Sequence, residues 1–88
     1  MNKEGFIMSN IYCSVNTCHY WDKGNICAAN EIMITSDTLA AERPDSLDAP
    51  KHAQFPTTPV NDCMATCCKT FVRKGSGDER LDGVKKTT

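Results

Sequence analysis

Six of the 88 residues are cysteines, in two groups: Cys13, Cys18 and Cys27, then Cys63, Cys67 and Cys68. Thiols of this density bind soft metal as thiolates, pair as disulfides or serve as nucleophiles. Structural zinc takes four Cys or His ligands in a tetrahedron. Ligands drawn from two remote segments also close a long loop, which is where a clip stabilises most. The spacing is not that of a common finger. Cys-x-x-Cys is absent, and the gap between Cys13 and Cys18 is at the generous end for a ligand pair. Nucleophilic catalysis has less support. It needs a base beside the cysteine and a lowered thiol pKa, and the adjacency of Cys18 and His19 does not impose that geometry. The chain also lacks a phosphate loop and a dinucleotide fingerprint. The residues predict a protein that is not an enzyme.

Compartment decides between metal and disulfide. The first ten residues, Met-Asn-Lys-Glu-Gly-Phe-Ile-Met-Ser-Asn, lack the apolar stretch of ~7–15 residues of a secretory signal. Apolar runs fall far short of the ~20 residues of a membrane span. The expectation is therefore a reducing cytoplasm, no membrane, and metal in preference to disulfides. Two alternatives stay open: a disulfide-stabilised surface or coat protein, and a thiolate protein for metal storage or transfer. Net charge is −1. Acidic residues prevail over 36–62, and Lys69, Arg73 and Lys74 make only a small basic group, so a nucleic-acid partner is not expected.

The elements that must position the thiols are short. Ile11–Val15 reads as a strand, Asn16-Thr17 as a turn, and Asp22-Lys23-Gly24-Asn25 as a hairpin turn between His19-Tyr20-Trp21 and Ile26-Cys27-Ala28. Ile32–Thr35 is a further β-prone run. Ser36-Asp37 caps a short helix that Pro44 ends. The rest of 36–62, with four prolines, reads as an irregular insertion loop. Asn61 or Asp62 caps one helical turn, and Lys69–Val72 closes the domain as a strand. Residues 1–9 read as a flexible N-terminus, 10–74 as the Cys-rich domain and 75–88 as a disordered tail, with only Leu81 and Val84 to anchor it.

Core candidates are thinly spread: Phe6, Ile7, Ile11, Tyr12, Val15, Tyr20, Trp21, Ile26, Ile32, Met33, Ile34, Phe55, Val60, Phe71 and Val72. A core of this size rarely supplies more than ~3–5 kcal/mol, whereas zinc binding to such peptides is worth ~10–16 kcal/mol. A bound ion would decide whether the chain folds.

Specific residues carry a resemblance. Cys13-Ser14-Val15-Asn16-Thr17-Cys18-His19-Tyr20-Trp21, Gly24-Asn25-Ile26-Cys27-Ala28-Ala29, Ile32-Met33-Ile34 and Thr66-x-Cys68-x-Thr70-Phe71 resemble the bacterial domain-of-unknown-function 1540 family. That family opens with Cys-x-Val-x-x-Cys-x-Tyr and closes with Thr-x-Cys-x-Thr-Phe. Its cysteine pattern suggests metal binding and its biochemical role is not established. The resemblance covers 11–35 and 66–72 and implies Cys13, Cys18, Cys27 and Cys68 as the ligand set; four thiolates make Zn²⁺ the expected ion. The chain departs from it in a longer 36–61 stretch and in Cys63 and Cys67, which are additional.

Six thiols exceed one tetrahedron, so Cys67 in place of Cys68 is a second choice. Neighbours on an extended chain point to opposite faces, so the two do not readily ligate one ion together. Cys63 and Cys67, four apart, would share a face on a helical turn and could make a second partial site. Thiolates also accept Fe²⁺ and Cu⁺. Lys69 or Lys23 is expected beside the negatively charged centre. Of Tyr20 and Trp21, one is expected to pack over the cluster with Phe71. His19 and His52 are expected to be solvated. The whole predicts a small metal-stapled, β-rich domain of short antiparallel strands, with one or two short helical turns at most. Its role would be that of a structural zinc module presenting a surface to a protein partner.

Overall fold

The first hairpin follows from its turn. The computed structural model describes residues 10–87, so Phe6, Ile7 and the expected flexible N-terminus lie outside the described residues. Strand β1 (Trp21–Asp22) pairs antiparallel with β2 (Ile26–Cys27), Trp21 opposite Cys27. Gly24 and Asn25 take φ of 86° and 57°, left-handed values that Gly and Asn tolerate best. Trp21 Nε1 donates to Asn25 Oδ1 (3.1 Å), tying strand to turn. The segment before it is not a continuous strand. It meets β2 through a single bridge, Tyr12 to Ile26, and through Cys27 N–H to Ile11 O and Cys13 N–H to Asn25 O.

The second sheet brings the two cysteine groups together. Strand β3 (Ile34–Ser36) pairs antiparallel with β4 (Thr66–Cys68), Ile34 opposite Cys68 and Thr35 opposite Cys67. Helix α1 (Asp37–Glu42) starts directly from β3, where Ser36 Oγ accepts from the Leu39 N–H at 3.1 Å. Such a cap is worth about 1 kcal/mol. Arg43 is extended, as the residue before Pro44 must be, and buried Leu39 fixes α1 against the chain.

The 36–62 connection is more ordered than an irregular loop. A kinked 3-10 segment spans Ala49–Gln54. Asp48 accepts from the Ala49 N–H at 2.7 Å, and Pro50 occupies the first turn, where no N–H is needed. Asp48 and Ala49 are almost fully buried. A second 3-10 turn spans Cys63–Ala65, with Asp62 at its start making no side-chain cap. The closing strand falls at Thr66–Cys68, not at Lys69–Val72. Residues 69–70 turn instead, because Lys69 N–H reaches Met33 O and the Thr70 hydroxyl accepts from Met33 N–H. That hydroxyl also donates to Asp48 Oδ1.

The core lies between these sheets and the C-terminal segment: Tyr20, Ala29, Ala49, Val72 and Val84 with Cys18. Residues 75–87, expected as a disordered tail, make specific contacts with the rest of the chain. Tyr20 OH donates to the buried Asp82 carboxylate at 2.9 Å, and Asn30 N–H and Thr87 N–H bond to Lys85 O and Ala28 O. Buried Val84, the Tyr20–Asp82 bond and the backbone bonds at Lys85 and Thr87 together dock the segment. Conversely, Tyr12, Val15, Ile26, Ile34, Val60 and Phe71 are well exposed rather than core. Among the described residues, no helix is long and apolar enough to cross a membrane.

Candidate functional site

The hairpin and the β3–β4 pair face a common cavity of about 620 Å³, lined by Cys13, Cys18, Cys27, Cys67 and Cys68. All four ligands implied by the sequence are therefore on its wall, although they come from opposite ends of the map. Ile11, Tyr12, Val15, Ile32, Ile34 and Phe71 supply most of the remaining lining, and Tyr20 and Thr70 close it. Tyr20 thus takes the place expected for one aromatic of the Tyr20-Trp21 pair. Trp21 instead lies under the Lys74 ammonium, 5.1 Å from its ring centre. None of the six cysteines is in a disulfide. Among the described residues, no three His, Cys, Asp or Glu side chains are grouped to hold a metal ion. The thiols share a cavity but not yet a coordination centre.

Two of these sulfurs are met by backbone donors. The Val15 N–H points at Cys13 Sγ, 3.4 Å away, and the Thr70 backbone bonds the Cys68 thiol. Each donor lies two residues after its cysteine, once in each cysteine group. Backbone N–H groups of this kind stabilise negative sulfur. The lysines do not play the expected part. Lys69 Nζ lies 3.2 Å from Pro44 O and 3.6 Å from Asp45, and Lys23 is exposed in the hairpin turn.

Cys67 and Cys68 alternate along β4, and the Cys67 thiol hydrogen-bonds Asp37 at the start of α1. Burial and that carboxylate push Cys67 above the ordinary thiol range. Cys63 is exposed and lies off the cavity. It does not share a helical face with Cys67, because the 3-10 turn ends at Ala65 and Thr66 is extended. His19 is half-buried with its ring edge-on to Tyr20, and His52 is exposed with Nδ1 3.0 Å from Ala49 O.

Cys68 opens onto the cavity yet is crowded by protein. That burial pushes its thiol to about 11, with Cys27 and Cys18 adding to the effect. The neutral thiol is the favoured form at neutral pH. Its contribution to stability is complete below the unfolded value of 9.0 and is lost as pH rises toward about 11. Iodoacetamide at pH 8, followed by peptide mass analysis, should modify Cys63 well before Cys68 in metal-free folded protein. Equal rates would contradict this placement.

Sequence reasoning missed the buried polar pairs behind the cavity, Asp48–Thr70 and Tyr20–Asp82. Both carboxylates are nearly inaccessible. Burial raises Asp48, and burial together with Asp82 raises Tyr20. The Asp48-Ala49-Pro50 run signals a helix start, but nothing local marks it as buried.

No solved structure matches the chain. The uncharacterized protein YtzL of Bacillus subtilis (strain 168) is 54% identical over 28 residues, covering 32% of this chain and 54% of that protein. The chain thus spans about half the length of the curated relative it matches. A family model, Domain of Unknown Function (DUF1540), matches residues 11–71, running through both cysteine groups and the connection between them. With more than half of its length matched, and with its cysteine-lined cavity built from the matched segment, the chain belongs to the DUF1540 family.

Proposed function

We propose that this chain is a small non-catalytic domain that takes up one soft metal ion, Zn²⁺, through Cys13, Cys18, Cys27 and Cys68, and presents a stabilised surface to a protein partner. The observation that carries this reading is the convergence of thiols from two remote segments on one cavity, through the β3–β4 pairing. The Val15 and Thr70 backbone donors support it, since they offset charge on sulfur without a cationic side chain. Zn²⁺ would supply a closed thiolate centre that ties the segments together. The cavity walls must draw inward to bring four sulfurs into bonding range.

A reducing compartment suits six unpaired thiols. The exposed Cys63 and the Asp37-bonded Cys67 stand outside this ligand set. Elemental analysis alongside a free-thiol count on protein purified anaerobically tests the reading. One equivalent of zinc with four protected thiols is expected. Six freely reacting thiols and no uptake of added Zn²⁺ would rule it out.

A further inference from the structure

The hairpin sheet ends on an edge left open among the described residues. Cys27 N–H bonds Ile11 O and Cys13 N–H bonds Asn25 O, both at 2.9 Å, on either side of the Tyr12–Ile26 bridge. In antiparallel pairing this pattern makes Tyr12 and Ile26 the non-hydrogen-bonded pair, so the Tyr12 N–H and C=O point away from β2. Neither group has a backbone partner among the described residues. The Tyr12 side chain is 70% exposed, and Val15 and Ile26 near it are also well exposed. Open strand edges are templates for another strand, and proteins blunt them with charge or proline. From Asn10 to Cys18 the chain carries neither. Strand β1, on the far side of the hairpin, holds Asp22 with Lys23 next to it.

We propose that this edge pairs with the same edge of a second copy of the chain, antiparallel and centred on Tyr12. Antiparallel pairing has two-fold symmetry, so one segment serves both sides, as a closed dimer requires. Tyr12 then sits opposite the second copy's Tyr12, and each donates its N–H to the other's C=O. Because the segment is uncharged, self-pairing sets no like charges against one another. The side chains agree with the backbone. Residues directly opposite in a sheet share a face, so Ile26 and Tyr12 of one copy run on into Tyr12 and Ile26 of the other as one apolar row across the joined sheet. A contact confined to one short segment falls below the ~1,200 Å² at which stable interfaces begin, so the dimer is weak and exchanging. The pairing gives the protein partner of the proposed function an identity, a second copy. It uses backbone already in place without an ion, so it does not depend on the metal reading.

Sedimentation equilibrium of the full-length chain from about 5 µM to about 1 mM, in TCEP and EDTA, tests the pairing. The mass is expected to rise from that of one chain toward that of two. Over the same series, amide exchange read by NMR should slow several-fold at the Tyr12 N–H. The Trp21 N–H, bonded to Cys18 O within one copy, should hold its rate. Tyr12→Lys brings two ammonium groups to the symmetry axis and should leave a monomer throughout. Met64→Lys, at an exposed apolar side chain on the Cys63–Ala65 turn, should associate as wild type does. The Tyr12 amide is read on wild type, so the test stands even if a variant fails to fold. A wild-type chain that stays monomeric throughout overturns the pairing and leaves the edge to a strand of a different protein. A dimer seen only without TCEP is a disulfide through exposed Cys63, and a dimer whose Tyr12 amide keeps its rate is joined elsewhere; either result overturns it. A dimer that forms only with Zn²⁺ in place of EDTA overturns it too, while metal uptake would stand.

Discussion

Cys68→Ser is expected to abolish cooperative folding of the metal-loaded protein, and a chelator should do the same to wild type. Serine is nearly the size of cysteine, and Cys68 opens onto the cavity rather than filling a packed core. Little packing is therefore lost, and the effect reports ligation. The size follows from competing magnitudes. A core of this kind rarely contributes more than ~3–5 kcal/mol, and structural zinc contributes ~10–16 kcal/mol in comparable peptides. On the proposed ligand set, losing Cys68 from β4 would also release the clip between the segments that β3 and β4 bring together. Cys63→Ser is the control. It lies exposed and off the cavity, so its effect should stay within roughly 0.5 kcal/mol. Circular-dichroism melts with and without chelator check both variants. A Cys68→Ser protein that melts like wild type, indifferent to chelator, would remove the metal from any structural role.

Tyr20→Phe should destabilise the domain by about 1–3 kcal/mol, although it deletes a single oxygen. The hydroxyl is almost fully buried and donates to the Asp82 carboxylate, with Oδ2 at 2.9 Å and Oδ1 at 3.0 Å. Phenylalanine keeps the ring and leaves a buried carboxylate with the Val84 N–H as its remaining donor among the described residues. Such asymmetric removal costs more than the net worth of a hydrogen bond. For a domain of this length each kcal/mol moves Tm by about 4–8 °C. Denaturant melts of Tyr20→Phe, Asp82→Asn and the double variant should show the two single effects to be non-additive. A tail that contributed nothing would give a Tyr20→Phe variant as stable as wild type, and that outcome would contradict the docking of 82–84.

These expectations divide between what local chemistry dictates and what contact across the chain imposes. The Lys23-Gly24-Asn25 turn, the Ser36 cap and the stop at Pro44 were legible, because each depends on residues within a few positions of one another. The family was legible too, because Cys13, Cys18, Cys27 and Cys68 stand with their flanking residues intact. That Cys68 rather than Lys69–Val72 belongs to the closing strand was not. It depends on the Thr70 hydroxyl bonding Met33 and Asp48, partners 37 and 22 positions away.

The same physical reason explains the tail and the core. Hydrophobicity along the chain favoured Tyr20, Phe55 and Val72, which are buried, but equally Tyr12, Val15 and Ile34, which are not, and it passed over Leu39 and Ala49. In a chain this small, two long-range polar anchors, Tyr20–Asp82 and Asp48–Thr70, decide which thin apolar segments are covered. A hydrogen bond between residues sixty-two positions apart leaves no mark on the spacing of either neighbourhood. The cysteines announced thiol chemistry through their number and flanks. Their meeting at one cavity depended on a strand pairing that only the folded backbone could select.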